Sequence, residues 1–378
     1  MRHASQKQAV VIFSGFNMRA VVAFCRKATA LNVPFCLVAS SPGDPIFQTQ
    51  YSGSVVLTRQ TNDLCIADMQ NWFHEILVSK SLDRLMVLPT SEFLNRFLLD
   101  HKAELEDAGH SVPLVDKQLY NRISDKQSFV KICADHGLVV PQEFIDQPAK
   151  LPFVAKPKRY AAVKTGRQLK PWLISSESDL QKFQAVESPG EFFFQEFVVG
   201  KSVYLLYFVS QDDKHVVYSQ ENLIQQSNGG SIVVATQSSE HSEPIAQQYL
   251  DMFKSLGYSG PVMVELKVTE DNHVMIEANP RFWGPLQFVV DSGVPIIESF
   301  LSANGFSLPT NAVSPLPASH GNDVRYFWSG GMSKSAQPFV FHNYNANRFV
   351  DDFPDLKRHD VFLRDDTINL YLSEFRDK

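Results

Sequence analysis

Two apolar runs late in the chain, residues 262–268 and 273–278, constrain the fold most. Both read as strands, and the step Glu270-Asp271-Asn272 between them reads as a hairpin turn. In the second run Glu277 and Asn279 are two apart and share a face. In the first, Glu265 sits between Val264 and Leu266. Pairing through so short a turn can bring Glu265 near Glu277 and Asn279. Two carboxylates and an amide oxygen then converge inside an otherwise apolar sheet. Like charges buried so close together are costly unless something positive lies between them. Mg²⁺ is the natural counter-charge, because it takes carboxylate and carbonyl oxygens and completes its shell with phosphate. Arg281, two residues past Asn279, reaches toward the same volume and suits charge on a transferred phosphoryl group. The plainer reading is a hairpin whose glutamates lie on its solvated face.

The first third of the chain alternates strand and helix signals. Short apolar strands at 9–13, 35–38, 54–57 and 85–88 are separated by helical spacing over 18–31 and 67–78. This alternation predicts a parallel, doubly wound sheet. Ser14-Gly15-Phe16-Asn17 follows the first strand but is no dinucleotide fingerprint. Residues 124–136 read as a helix, with Ser124 as N-cap and Gly137 as C-cap. From Phe153 onward strands dominate, and 308–319, rich in Pro, Ser and Ala, reads as a connection.

Glu277-Ala278-Asn279-Pro280-Arg281, followed by Phe282-Trp283-Gly284, closely resembles the metal-binding signature of ATP-grasp enzymes. The resemblance implies that Glu265, Glu277 and Asn279 hold one or two Mg²⁺ ions on the phosphates of ATP, with Mn²⁺ as a substitute metal. Arg281 would contact the transferred phosphate or an acyl phosphate. It also implies two upstream lysines. Lys126, at the start of a helix, resembles the first phosphate-contacting lysine. Lys156, ending the apolar strand Phe153-Val154-Ala155-Lys156, is similar to the second. The hinge would be Phe194-Gln195-Glu196-Phe197-Val198-Val199-Gly200. Gln195, Glu196, Phe197 and Val198 would line the adenine there, with Glu196 as the polar member. The loop ending Gly229-Gly230-Ser231 resembles one that carboxylate–amine ligases place beside the reacting carboxylate; Asn228-Gly229 is equally a hairpin signal. Glu92, after Pro89-Thr90-Ser91, reads as a helix cap or as a residue facing the cleft.

Two features depart from the family pattern. The loop after the second lysine, Lys158-Arg159-Tyr160-Ala161-Ala162-Val163-Lys164-Thr165-Gly166, holds one glycine, so Lys158, Arg159 and Lys164 are read as stand-ins for a backbone cradle. Lys201 and Ser202 follow the hinge glycine where an acidic residue is usual. The implied fold is a pre-ATP-grasp α/β domain over residues 1–118 and a two-lobed ATP-grasp domain over 119–305. Its small lid lobe would span about 128–197, and a C-terminal extension would follow over 306–378.

Composition narrows the partners. The net charge of −6, with no long basic run, argues against nucleic acid. No apolar run reaches the length of a membrane span, and the N-terminus lacks the pattern of a signal peptide. Cys25, Cys36, Cys65 and Cys133 lack C-x-x-C spacing and read as buried free thiols in a reducing cytoplasm. The histidines show no metal-ligand spacing and read as surface or capping residues. The expected activity is that of a ligase that uses ATP to activate a small-molecule carboxylate and couples it to an amine. A homodimer is among the assemblies the resemblance allows. The alternatives are a small-molecule kinase on the same scaffold, a non-catalytic nucleotide-binding module, and a sheet-rich binding protein with exposed carboxylates.

Overall fold

A computed structural model of the chain describes residues 7–59, 63–162, 165–227, 229–309, 324–333 and 338–376. Lys164 of the lid loop, Asn228 and all but the start of the 308–319 connection lie outside the described residues. The first unit is a parallel sheet of β1 (Gln8–Phe13), β2 (Phe35–Ala39), β3 (Val55–Thr58) and β4 (Arg84–Val87), in the order β3-β2-β1-β4. Helices α1 (Met18–Ala30), α2 (Ile66–Lys80), α3 (Glu92–Asp100) and α4 (Lys102–Asp107) accompany it. Every residue of β1 past the first is buried, as a strand covered on both faces requires. Val10 and Ile12 share a core with α1, whereas Val11 and Phe13 pack with Met69, Phe73 and Leu94 of α2 and α3. The expected doubly wound arrangement is therefore present. Chain order reverses between β1 and β4, which opens a crevice at the carboxyl ends of those strands.

Helices α5 (Lys117–Ser124) and α6 (Lys126–Asp135) lead into the lid lobe. The helix expected over 124–136 is α6, which starts two residues later, at Lys126. Ser124 ends α5, and Asp125 interrupts the chain with extended backbone. Ser124 is no N-cap: its hydroxyl accepts from Arg96 Nη2 at 2.8 Å. Gly137 does terminate α6, with φ of +73°. The lid is an antiparallel sheet of β5 (Glu143–Phe144), β6 (Phe153–Pro157), β7 (Trp172–Ile174) and β8 (Phe192–Glu196), in the order β5-β8-β6-β7. Helix α7 (Glu177–Val186) closes one face, its Phe183 in one core with Phe153, Phe192 and Phe194.

The central sheet is antiparallel. It holds β9 (Lys201–Val209), β10 (Val216–Gln225), β11 (Ile232–Gln237), β12 (Gly260–Val268) and β13 (His273–Asn279), with α8 (Pro244–Ser255) between β11 and β12. One face, with Leu205, Tyr207, Val262 and Val264, packs on Phe129, Cys133, Tyr249 and Phe253 of α6 and α8. The other, with Leu206, Phe208 and Met263, packs on α1 together with α9 (Leu286–Asp291) and α10 (Ile296–Ala303). The C-terminal segment is woven into both units. Its β14 (Arg325–Phe327) pairs with β11, and its β15 (Val340–Phe341) pairs with β10. Arg26 of α1 donates to Asp366 from Nε at 2.7 Å and from Nη2 at 2.9 Å, and to Thr367 at 2.7 Å. Cys25, Cys36 and Cys133 are buried as expected, but Cys65 is exposed because it precedes α2 rather than facing the core. Among the described residues no helix is long and apolar enough to cross a membrane.

Candidate active site

Strands β12 and β13 form the expected hairpin, and Glu265 pairs directly with Glu277. Asn279 lies opposite Met263 on the same face. Between Glu265 and Leu266 the register shifts, leaving Ile276 as an extra residue. The bulge turns the Ile276 carbonyl to accept from Lys156 Nζ at 2.8 Å. Glu277 is partly buried and bonded to Lys126 Nζ; its Oε1 accepts from Asn279 Nδ2 at 2.9 Å. Glu265 is buried, and burial together with the Glu277 charge holds its carboxyl above the usual range. For Glu277 burial pulls upward, but the Lys126 charge and hydrogen bond outweigh it and hold the group low. The solvated-hairpin reading therefore fails. One carboxylate is neutralised by a lysine, and the other is strained by its neighbour.

Both lysines come from outside this sheet. Lys126 opens α6, which starts beside the edge strand β13, and Lys156 sits near the end of β6 in the lid. Lys156 is buried, and burial together with Lys126 pushes it down to about 8. On β6 and β8, Val154 pairs with Gln195 and Lys156 with Phe193, so these four share the lid face away from its own core. Gln195 is fully buried, and both atoms of its amide lack a hydrogen-bond partner among the described residues. Glu196, expected as the polar member of the hinge, points to the opposite face. It is exposed there and accepts from the Gln142 backbone N–H at 2.9 Å. Strand alternation makes Gln195, not Glu196, the polar residue facing the cleft. Phe197 is exposed and Val198 half-buried, in the link to β9. Arg281 donates from Nη2 to Asn279 Oδ1 at 3.2 Å, beside the paired glutamates.

Several residues near this cluster gave no sequence signal. Gln220 Nε2 donates to Asn222 Oδ1 at 2.8 Å, Asn222 Nδ2 to Ser202 Oγ at 3.0 Å, and Ser202 Oγ to Glu265 Oε1 at 3.4 Å. This chain of buried groups crosses three strands and orients Glu265. A second chain starts at Lys267, two residues past Glu265 and on the same face. Lys267 Nζ lies 3.3 Å from His342 Nδ1, whose Nε2 lies 3.0 Å from Gln225 Oε1. Gln225 Nε2 then donates to the Gly230 carbonyl at 2.9 Å. An ammonium can only donate, so His342 Nδ1 accepts and its Nε2–H donates. His342, expected among surface or capping histidines, is instead held down to about 4 by burial and by Lys267.

Next to the glutamates lies a cavity of about 540 Å³, at the β1/β4 crevice of the first sheet. Gly15, Thr90 and Glu92 line it from the crevice, and Glu277, Asn279 and Arg281 from the hairpin. The loop Gly229-Gly230-Ser231 lines it too, and that loop joins β10 to β11, as the hairpin signal implies. Ser231 Oγ accepts from Arg19 Nη2 at 2.8 Å. Ser91, not Glu92, caps α3. Glu92 faces the cavity and accepts from Arg96 Nε at 2.7 Å and Tyr120 Oη at 2.8 Å. The lid loop reaches the same wall, where the Arg96 guanidinium sits 4.8 Å from the Tyr160 ring centre. Lys158, read as a phosphate stand-in, is instead committed to the Gly190 carbonyl at 3.0 Å.

The family model described as the ATP-grasp domain matches residues 123–285. Among solved structures, the chain is similar to biotin carboxylase from Campylobacter jejuni, solved with a β,γ-ATP compound. The identity is 13% and the TM-score 0.58, over 80% of this chain and 72% of that one. It is similar to the biotin carboxylase domain dimer of Hydrogenobacter thermophilus 2-oxoglutarate carboxylase, solved with MgADP, ADP and bicarbonate. There the identity is 14% and the TM-score 0.58, over 81% and 71%. It is also similar to N5-carboxyaminoimidazole synthetase from Staphylococcus aureus with ADP, at 15% identity and TM-score 0.56, over 80% and 78%. Comparison with curated protein sequences finds no match. Residues 123–285 of this chain match the ATP-grasp domain, and the solved structures share the fold built around it.

Proposed function

We propose that this protein is an ATP- and Mg²⁺-dependent ligase that activates a small carboxylic acid as its acyl phosphate and joins it to an amine. The observation that carries the reading is one juxtaposition. Glu265 faces Glu277, with Asn279, Lys126, Lys156 and Arg281 around them, and Glu277, Asn279 and Arg281 of this cluster line a cavity large enough for a substrate. Two carboxylates and an amide fit a hard cation that draws its remaining oxygens from phosphate. Among the described residues no group of three His, Cys, Asp or Glu offers a closed metal cage. The unpartnered amide of buried Gln195 fits a purine edge, which offers both donor and acceptor atoms.

Glu265, Glu277 and Asn279 would hold the metal. Bound there, Mg²⁺ supplies positive charge to the phosphates. Lys126 and Lys156 neutralise the polyphosphate, and Arg281 faces the transferred group. The substrate carboxylate attacks the γ-phosphorus, ADP leaves, and an amine displaces phosphate from the acyl carbon. Positioning and charge do the work, so no protein nucleophile is needed.

The test is ADP and phosphate release from MgATP against acids and amines, alone and in pairs. Turnover that needs both supports the ligase. Turnover with a single hydroxylated compound points to a kinase, and nucleotide binding without turnover to a sensing module. We also propose a homodimer in solution, by analogy with the H. thermophilus domain dimer; light scattering at micromolar concentration reads the mass directly.

A further inference from the structure

The cavity beside the glutamates offers hydrogen-bond donors that the protein itself does not use. Thr90 is 0% exposed and Trp283 1% exposed. Thr90 Oγ1, Trp283 Nε1 and the Nε of Arg281 are all buried without a hydrogen-bond partner among the described residues, and all three side chains line the cavity. An indole N–H and a guanidinium Nε–H can only donate, and a hydroxyl can join them. Buried donors left unmade are costly, so three among the residues lining one cavity mark a place for an acceptor-rich group. A carboxylate is such a group, and the Arg281 charge suits it.

The rest of the wall describes the body of the guest. Phe16 and Phe93 line the same cavity with ring centres 5.6 Å apart, and Phe93 is exposed. Tyr160 adds a third ring from the lid. The remaining charges are largely committed. Arg19 donates to Ser231 Oγ, the Ile232 carbonyl and Tyr326 Oη, and Glu92 already accepts from Arg96 and Tyr120. A volume of about 540 Å³ exceeds what a two-carbon acid fills.

We infer that the guest is a carboxylic acid with a flat aromatic body. Its carboxylate is held by Trp283 Nε1, Thr90 Oγ1 and Arg281 Nε, and its ring lies against Phe16 and Phe93. This rests on the ligase reading for what happens next, since the acid held here is the one to be activated. Binding itself can be read without turnover.

The experiment is calorimetric titration with benzoate, phenylacetate and anthranilate against acetate and succinate, with and without Mg²⁺ and a non-hydrolysable ATP analogue. Aromatic acids should bind at least about tenfold more tightly than aliphatic ones. Trp283→Phe and Thr90→Val should each weaken that binding about tenfold, Thr90→Ser should restore it, and nucleotide affinity should stay level in all three. Circular dichroism checks that each variant is folded. The inference is overturned if no aromatic acid binds, if aliphatic acids bind as well, or if Trp283→Phe and Thr90→Val leave affinity unchanged. Aromatic-acid binding with these dependences but no ADP release from MgATP in the presence of any amine tested would sink the ligase reading alone. Acid-driven ADP release whose KM the variants do not move would sink this inference alone.

Discussion

At the residue scale, the buried pair of glutamates sets the sharpest expectations. Glu277→Gln keeps the shape and removes the charge that holds Lys126, so turnover should fall by about 10² or more while the fold survives. Wild-type ADP release in that variant would refute the metal assignment. Lys156→Ala should weaken nucleotide binding, whereas Arg281→Ala should lower kcat with little change in the KM for ATP. His342 gives a pH signature. Its folded value of about 4 lies below the ordinary 6.5, so the unfolded chain takes up a proton that the native state excludes. The group leaves stability untouched above pH 6.5 and subtracts from it as pH falls toward 4. Melting curves of His342→Gln should therefore lose less stability than wild type across that window. Glu265, Glu277 and Asn279 were legible in the sequence because a short hairpin fixes which side chains share a face. Ser202 and His342 were not, since they reach the cluster through the registers of β9 with β12 and β10 with β15, pairings far apart in the chain.

At the scale of elements, the lid loop is the informative departure. Its sequence showed that glycine was scarce but not what replaced the glycines. The structure answers with Tyr160 on Arg96, while Arg96 is itself fixed by Glu92, Asn121, Ser124 and Asp125. The Tyr160 ring is thereby tied to α3 and to the α5–α6 junction. Tyr160→Ala should raise the KM for ATP severalfold and quicken proteolysis within residues 158–168, and Tyr160→Phe should behave as wild type, because the ring carries the contact. Equal proteolysis rates in all three would show the stack to be incidental. The N-cap of α6 falls one residue later than the sequence suggests, on Asp125 rather than Ser124, for a related reason. Helical spacing continues across Asp125, and only the three-dimensional position of Arg96 shows why that residue leaves the helix.

At the scale of the whole molecule, the first sheet and the central sheet share a core that the C-terminal segment completes. Arg26 joins α1 to Asp366, Thr367, Gln287 and the Val361 carbonyl. Asp366→Asn should cost on the order of 3 kcal/mol, as removal of one partner from a largely buried ion pair does, read as a lower denaturant midpoint. An unchanged midpoint would mean that the two units hold together without this tie. The alternation of strands and helices made the first unit legible, but the joining of distant segments into one sheet leaves no local pattern. The same joining sets an order of events during synthesis. The first sheet can form while the ribosome is still making the lid, yet the outer side of α1 then faces water, because α9, α10 and the strand that pairs with β11 do not yet exist. A nascent chain in which the first sheet has formed leaves the apolar side of α1 uncovered until those later segments emerge, which is where aggregation would compete with folding.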